Sequence, residues 1–385
     1  MTLLITTVNT LRHYRKAAPA DGDLAARRAA AARIAQRRAR RAIFSALAAF
    51  AALQIGMSVI MDHWVPVLHD PEYGRKLALL RGRQAEAPNR PLTLVLGSSR
   101  SGLGLDPESF AETPTAAARD DLVFNFAITG CGPIQEFQLL KRLLRHGVNP
   151  RRVLIEVHPL LYHQENGIGE ECWIEPRRMD WRDLILVVDY VYNRRPFVWR
   201  WCRCHLAPWY SNRFLILNHF LPTWLDQKAH MDPWSGLTDY GWLPLRKDAV
   251  TPEEFQKGTD NAKREYSPMF DAFRVTEPAD RALRNLLALC RQQRIETALF
   301  VMPEGSQFRG CYTAAARQAI NDYLAVVSRQ CEVPVYDATE WCNDQDFWDS
   351  HHLLVAGAKR FSERFAQQVL ADFMARGGSR TPSLR

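Results

Sequence analysis

No cysteine occurs before Cys131, so the first third of the chain can hold no disulfide. No charged residue interrupts Ala42 to Met61, a run too long and too apolar for an ordinary surface helix. Beyond residue 41 neither sign of charge is in excess. Ten Lys or Arg against Asp21 and Asp23 in residues 1–41 carry the whole formal charge of +8. The rest of the chain is balanced, which excludes a basic nucleic-acid-binding domain; no nucleic acid is expected as a partner. No internal repeat or long low-complexity tract follows residue 41, and this argues against a solenoid. No small-x-small cleavage pattern follows Met61, which disfavours a removed signal peptide.

What is present begins with that apolar run. Twenty helical residues span about 30 Å, the thickness of a bilayer core. Arg37, Arg38, Arg40 and Arg41 stand at its amino end. The positive-inside bias then implies a single-pass protein with a cytoplasmic amino terminus and everything after about residue 65 periplasmic or otherwise extracytoplasmic. The expected organisation is a basic cytoplasmic tail at 1–41, an anchor at 42–61 and a linker at 62–90, the last partly helical and charged from Pro71 to Ala87. A domain at 91–375 follows, carrying an insertion at 163–274, and a disordered tail closes the chain at 376–385. Residues 1–25 are expected to lack fixed structure, and Leu24 to Arg41 to form an Arg/Ala-rich helix.

From Pro91 the chain alternates short apolar runs with amphipathic ones. Leu92 to Leu96 carries no charge and stops at Gly97, the pattern of a strand buried on both faces. Further strands are expected over Leu122–Gly130, Arg152–Val157, Thr297–Met302 and Val333–Asp337. Helices are expected over Ile134–Gly147, Arg281–Arg294, Ala314–Gln330 and Ala356–Ala375. This alternation implies an α/β fold, a parallel sheet with helices on both faces. The interval from Tyr162 to Arg274 breaks the pattern and holds eight of the eleven tryptophans. It reads as a partly helical insertion, with Asp180–Tyr192 and Asn212–Phe220 as its best helices. Most of its tryptophans are expected to pack its own core. Stacking on sugars or seating at a lipid interface is the alternative, and Trp234 and Trp242 are its first candidates.

Two stretches carry chemistry. Gly97-Ser-Ser-Arg100 follows the first strand at the edge where open α/β sheets place ligands. Asp349-Ser-His-His352 precedes a helical pattern, and its three-residue offset lets a carboxylate reach an imidazole. In a Ser-His-Asp relay, His352 would take the serine proton and Asp349 would hold the imidazole. Together these stretches resemble the SGNH (GDSL-like) hydrolase superfamily, in which a Gly-Asp-Ser block opens the domain and an Asp-x-x-His block closes it. The Gly-Ser-Ser-Arg form is similar to a membrane-anchored branch that includes alginate O-acetylation proteins and the D-alanine transfer protein of teichoic acid.

That resemblance implies a flavodoxin-like three-layer fold with Ser99 as nucleophile, Ser98 being the runner-up. It also implies an oxyanion donor at Gly130, beside the backbone N–H of Ser99. The family's third block, Gly-x-Asn-Asp, is absent; Glu156-Val-His-Pro159 stands there instead. Asn125 and His158 are the candidates to replace its amide. Arg100 is either a guide for an anionic substrate or a structural ion pair. Glu304, Ser306 and Arg309 follow a strand and are expected to line the groove, a surface turn being the alternative. The implied activity is that of a membrane-anchored serine esterase or O-acyltransferase acting on a glycan or other envelope ester. It needs no cofactor and no metal, and a membrane partner could supply the acyl group. The missing amide leaves a catalytically degenerate binding module as the alternative. Cys202-Arg-Cys204-His205 is a weak metal pattern without a second half.

Overall fold

The computed structural model describes residues 21–111, 120–163, 169–226, 233–245, 247, 249–271 and 273–378. Of the residues expected to lack fixed structure, 1–20 and 379–385 lie outside the described residues, whereas 21–25 are helical. The chain divides into two compact units at Gly56 and Met57. Helix α1, Asp21–His63, is continuous from the basic segment through the apolar run. By length and composition it can cross a membrane.

Residues 62–90 are more than a linker, and the run expected to be partly helical belongs to the domain's core. Pro71–Glu86 forms helix α2, whose Tyr73, Leu77 and Leu80 enter the main core. The local signals were all present in the sequence. Asp70 caps the helix by accepting from Tyr73 N–H, Pro71 occupies the first helical position, and Glu72 lies in the first turn. The i, i+4, i+7 spacing of the three apolar residues puts them on one face.

Strand β1 (Leu92–Leu96) leads through α3 (Ser99–Gly104) to β2 (Leu122–Asn125), then α4 (Pro133–Arg145) and β3 (Arg152–Glu156). The insertion contributes α5 (Arg194–Leu206), α6 (Arg213–Phe220) and α7 (Pro252–Tyr266) as its longer helices. Helix α8 (Glu277–Gln292), β4 (Glu296–Val301), α9 (Ala314–Cys331), β5 (Val335–Asp337) and α10 (Val355–Phe365) follow. The five strands are all parallel, in the order β2-β1-β3-β4-β5. This is the flavodoxin-like order, and it reverses between β1 and β3.

Strand alternation divides the core. Leu94 and Leu96 face α2, α4, α8 and α9, while Val95 joins Phe361 and Phe365 of α10 on the other side. Helices therefore cover both faces of a sheet whose central strand is wholly buried. Helix α10 passes into a π-helical turn, Ala366–Leu370, and a last helical stretch to Gly378, so structure continues into residues read as tail.

Among the insertion's tryptophans, Trp242 is buried and donates its indole N–H to the Leu103 carbonyl at 2.7 Å. Trp234 lies under the Arg178 guanidinium. Neither stands as an open sugar platform. Contrary to the expected core packing, Trp173, Trp181, Trp199, Trp209 and Trp224 are exposed. Among the described residues no disulfide joins any of the eight cysteines.

Candidate active site

Where β1 ends, Gly97 meets the carboxylate of Glu156 so closely that a Cβ there would fall 2.5 Å from Glu156 Oε2. Glu156 ends β3, the neighbouring strand, and its buried carboxylate gathers the turn that follows β1. It accepts from Ser98 N–H at 2.8 Å, from Ser98 Oγ at 3.0 Å and from Ser101 Oγ at 2.6 Å. Ser98 is thereby removed as a rival nucleophile, since its hydroxyl is buried on a carboxylate. Ser99, between the two anchored serines, faces a cavity.

Across that cavity Ser99 Oγ lies 2.9 Å from His352 Nε2. His352 Nδ1 lies 2.8 Å from Asp349 Oδ2, and the other Asp349 oxygen accepts the backbone N–H of His352 at 2.8 Å. Burial would raise the Asp349 carboxyl, but the charge and hydrogen bonds of His352, with His351 adding, hold it well below the usual carboxylate range. His351 does not reach Ser99. It is buried and stacked on Phe308 with ring centroids 5.0 Å apart. Burial, then the neighbouring His352, pushes it down to about 3, so it is neutral.

The loop carrying this pair is held from behind. Ser350 has φ +67°, a left-handed conformation uncommon for a residue with a side chain. Its carbonyl accepts Gly305 N–H at 2.8 Å and its hydroxyl accepts Phe308 N–H at 3.1 Å. Helix α7 braces the same loop, with Gly258 packed so that a Cβ would lie 3.0 Å from Asp349 Cβ.

Several residues expected at the groove do other things. Ser306 is exposed and bonded to Asp344 through both its amide and its hydroxyl. Arg309 bonds the Glu304 carbonyl. Arg100 is buried rather than free to meet substrate. Its terminal nitrogens donate to Glu304 at 3.0 Å and to the Met302 and Pro303 carbonyls, each at 3.0 Å. The turn after β4 thus braces the site without lining it. Asn125 is also fully engaged: its amide nitrogen donates to the Ser101 and Leu105 carbonyls and its oxygen accepts Ala127 N–H. No donor remains there for an oxyanion.

His158 is different. Arg100 donates to its Nδ1 at 3.3 Å, and a guanidinium cannot accept, so the imidazole proton sits on Nε2. Burial, then Arg100, pushes its pKa well below the ordinary value, which keeps the ring neutral. It lines the cavity with Ser99, Gly130 and His352. Gly130 has φ +72°, and a Cβ there would strike Trp173 at 2.7 Å, so only glycine fits. The loop bearing Gly130 is tied down by α2. Glu72 accepts Thr129 N–H at 3.1 Å, and buried Lys76 donates to the carbonyls of Asn125 and Gly241 at 3.0 and 2.6 Å.

The cavity has a volume of about 310 Å³, with Leu103, Leu161, Leu243 and Met269 among its apolar walls. A second, more polar hollow of about 410 Å³ opens on the other side of Tyr266, Trp348, His351 and His352, along α7. A larger hollow of 680 Å³ at the start of β4 and β5 shares no residue with either. Asp349, His351 and His352 could together approach a metal ion, but the Asp349 oxygens are already taken by His352 and backbone amides. Cys204 and His205 form no such group among the described residues. Cys131 is buried, and burial with nearby carboxylates raises its thiol well above the usual range, the reverse of an activated nucleophile.

Comparison with known proteins adds a distant likeness. Residues 76–171, about a quarter of the chain, match the family model DUF1574, a protein family of unknown function. No curated protein matches. Among solved structures, one from Bacteroides fragilis NCTC 9343, provisionally named an acylhydrolase, is 10% identical. It aligns over 76% of this chain and 97% of its own, with a TM-score of 0.32.

Proposed function

We propose that the chain is a membrane-anchored serine esterase or O-acyltransferase, with Ser99 as nucleophile, His352 as general base and Asp349 as the group that orients it. The observation that carries this reading is the continuous hydrogen-bonded path from Ser99 through His352 to Asp349 at the mouth of an apolar cavity. The path lies at the carboxyl ends of β1 and β3, where the strand order reverses and open α/β sheets bind ligands.

In this mechanism Ser99 Oγ attacks an acyl carbonyl as its proton passes to His352 Nε2. The ester C–O bond breaks, and the departing alcohol leaves with that proton. Water or an acceptor hydroxyl then attacks the acyl-serine, gives its proton to His352, and releases acid or a new ester with Ser99 restored. Asp349 stabilises the imidazolium in both halves. The oxyanion would be met by the backbone N–H groups of Ser99 and Gly130 and by the fixed Nε2–H of His158. His158 follows β3 where the related family block carries its amide, and supplies a neutral donor of another type. The apolar walls suit the acyl group, and the polar hollow along α7 suits a hydroxylated acceptor such as a carbohydrate.

Residues 1–41 would lie in the cytoplasm and the domain outside, given the arginines that precede the apolar run. Cytoplasmic acyl donors would then need a membrane partner to hand the acyl group across. The test is hydrolysis of a short-chain nitrophenyl ester by the full chain in detergent, with and without added sugar acceptors. Release above a Ser99→Ala control is expected. Release equal to the control would leave a binding module.

A further inference from the structure

The insertion bears a surface that the chemistry at Ser99 does not use. Helix α6, Arg213–Phe220, has five apolar residues among its eight and buries none of them. Its neighbours follow suit. Trp199, Trp209, Tyr210, Phe214, Phe220 and Trp224 are each close to half exposed or more, from 47% to 74%. Single exposed apolar side chains are ordinary, but a cluster of large ones on adjoining helices marks a surface that something covers.

Charge narrows what that is. From Tyr190 to Leu225 there are five arginines and no acidic residue. Arg213 lies over the rings of both Tyr210 and Phe214, at 4.2 and 4.5 Å from their centroids. Tryptophan and tyrosine interleaved with arginine, and no counter-charge, is the composition that seats at the headgroup level of an anionic bilayer. Position in the fold agrees. Helix α6 packs against the turn Pro66–Leu68, three residues beyond the end of α1 at His63. Trp64, between them, is itself 73% exposed.

We infer that the face formed by α5, α6 and the turn to Trp224 rests on the lipid headgroups around the anchor, as a second membrane contact. The inference rests on α1 crossing a bilayer and is independent of any chemistry at Ser99. Such a contact would fix the height and tilt of the domain, so that its crevice addresses substrates at a set distance from the membrane. A second copy of the chain would bring five more arginines against these five, with Glu171 at the amino end of α5 and Asp226 beyond Trp224 only at the margins of the face.

The test uses the full chain in nanodiscs of phosphatidylethanolamine and phosphatidylglycerol, with a brominated lipid as a contact quencher of tryptophan emission. The wild type is compared with Trp199→Phe/Trp209→Phe/Trp224→Phe. The emission lost by substitution is expected to be about twofold more strongly quenched than the emission that remains, because those three rings sit at the interface. If the triple variant does not fold, Trp224→Phe alone gives the same difference measurement. Unquenched difference emission, with Trp64 still quenched, overturns the contact while leaving the anchor in place. If Trp64 also escapes quenching, α1 does not span and the inference falls with it. Self-association in detergent that Phe214→Asp abolishes would make the face an interface between copies, and would equally overturn it.

Discussion

Arginine and aromatic residues serve opposite ends in two regions of this molecule. At the carboxyl edge of the sheet Arg100 is buried among carbonyls, Glu304 and His158, and His351 is stacked beneath the loop that carries its catalytic candidate neighbour. On α5, Arg194, Arg195, Arg200, Arg203 and Trp199 are exposed. A charge is buried only where partners compensate it, so the first arrangement fixes side chains beside the proposed reacting centre. A large aromatic side chain left in water reports a missing cover, so the second reports a contact surface.

Substitutions should separate the two regions by size and kind of effect. The largest losses belong to the relay. Ser99→Ala and His352→Ala should each reduce ester hydrolysis on the order of 10⁴- to 10⁶-fold, and Asp349→Ala somewhat less. Melting temperatures of the first two should stay near wild type, because both side chains border a cavity. Next comes His158. His158→Ala should lower kcat by roughly 100- to 1,000-fold with little change in KM, the signature of a donor used only when the oxyanion forms. His158→Gln, which keeps an N–H donor, should recover part of the loss; a shift in KM alone would assign the residue to substrate binding.

Glu156→Ala should combine a moderate loss of activity with lost stability. It strands Ser98 N–H and two serine hydroxyls in a buried place, at about 1–3 kcal/mol, and a urea denaturation series would read it. The pH dependence is smaller and has a definite sign. His351 is neutral in the fold with a pKa of about 3, below the roughly 6.5 of a free imidazole. The unfolded chain therefore binds more protons between these values, and stability falls as pH falls through that window. Asp349, held below its ordinary range, contributes stability that is lost at still lower pH as its carboxylate is protonated. His351→Phe should flatten the first of these slopes in urea titrations at pH 7.5 and 5. The smallest effect is expected on the exposed face, where Trp224→Phe should change stability in detergent by less than about 0.5 kcal/mol.

The sheet was legible because β1 and its neighbours are uncharged runs with abrupt ends, and burial on both faces leaves that mark. The pairing of Asp349 with His352 was legible because it is local. Glu156 was missed for the opposite reason: its partners Ser98 and Ser101 lie 58 and 55 residues earlier, and nothing in Glu-Val-His-Pro announces them. Asn125 was read as a possible oxyanion donor, and Arg100 was left between a substrate guide and the ion pair it proves to be, because sequence shows a donor's presence and not whether it is already occupied. Helix α2 was legible only in part. A partly helical run from Pro71 to Ala87 could be read from the sequence, but the charges on its other face hid the docking of Tyr73, Leu77 and Leu80 in the core. Ser350 could not have been found, since serine carries no sign that it will adopt a left-handed backbone.

The central claim is that Ser99 is a nucleophile activated by His352. The most direct test is reaction of the detergent-solubilised full chain with a fluorophosphonate, followed by peptide mass spectrometry. The account predicts one adduct, on Ser99, absent from Ser99→Ala and formed far more slowly by His352→Ala. No adduct on the wild type, or an adduct on Ser98, would contradict it.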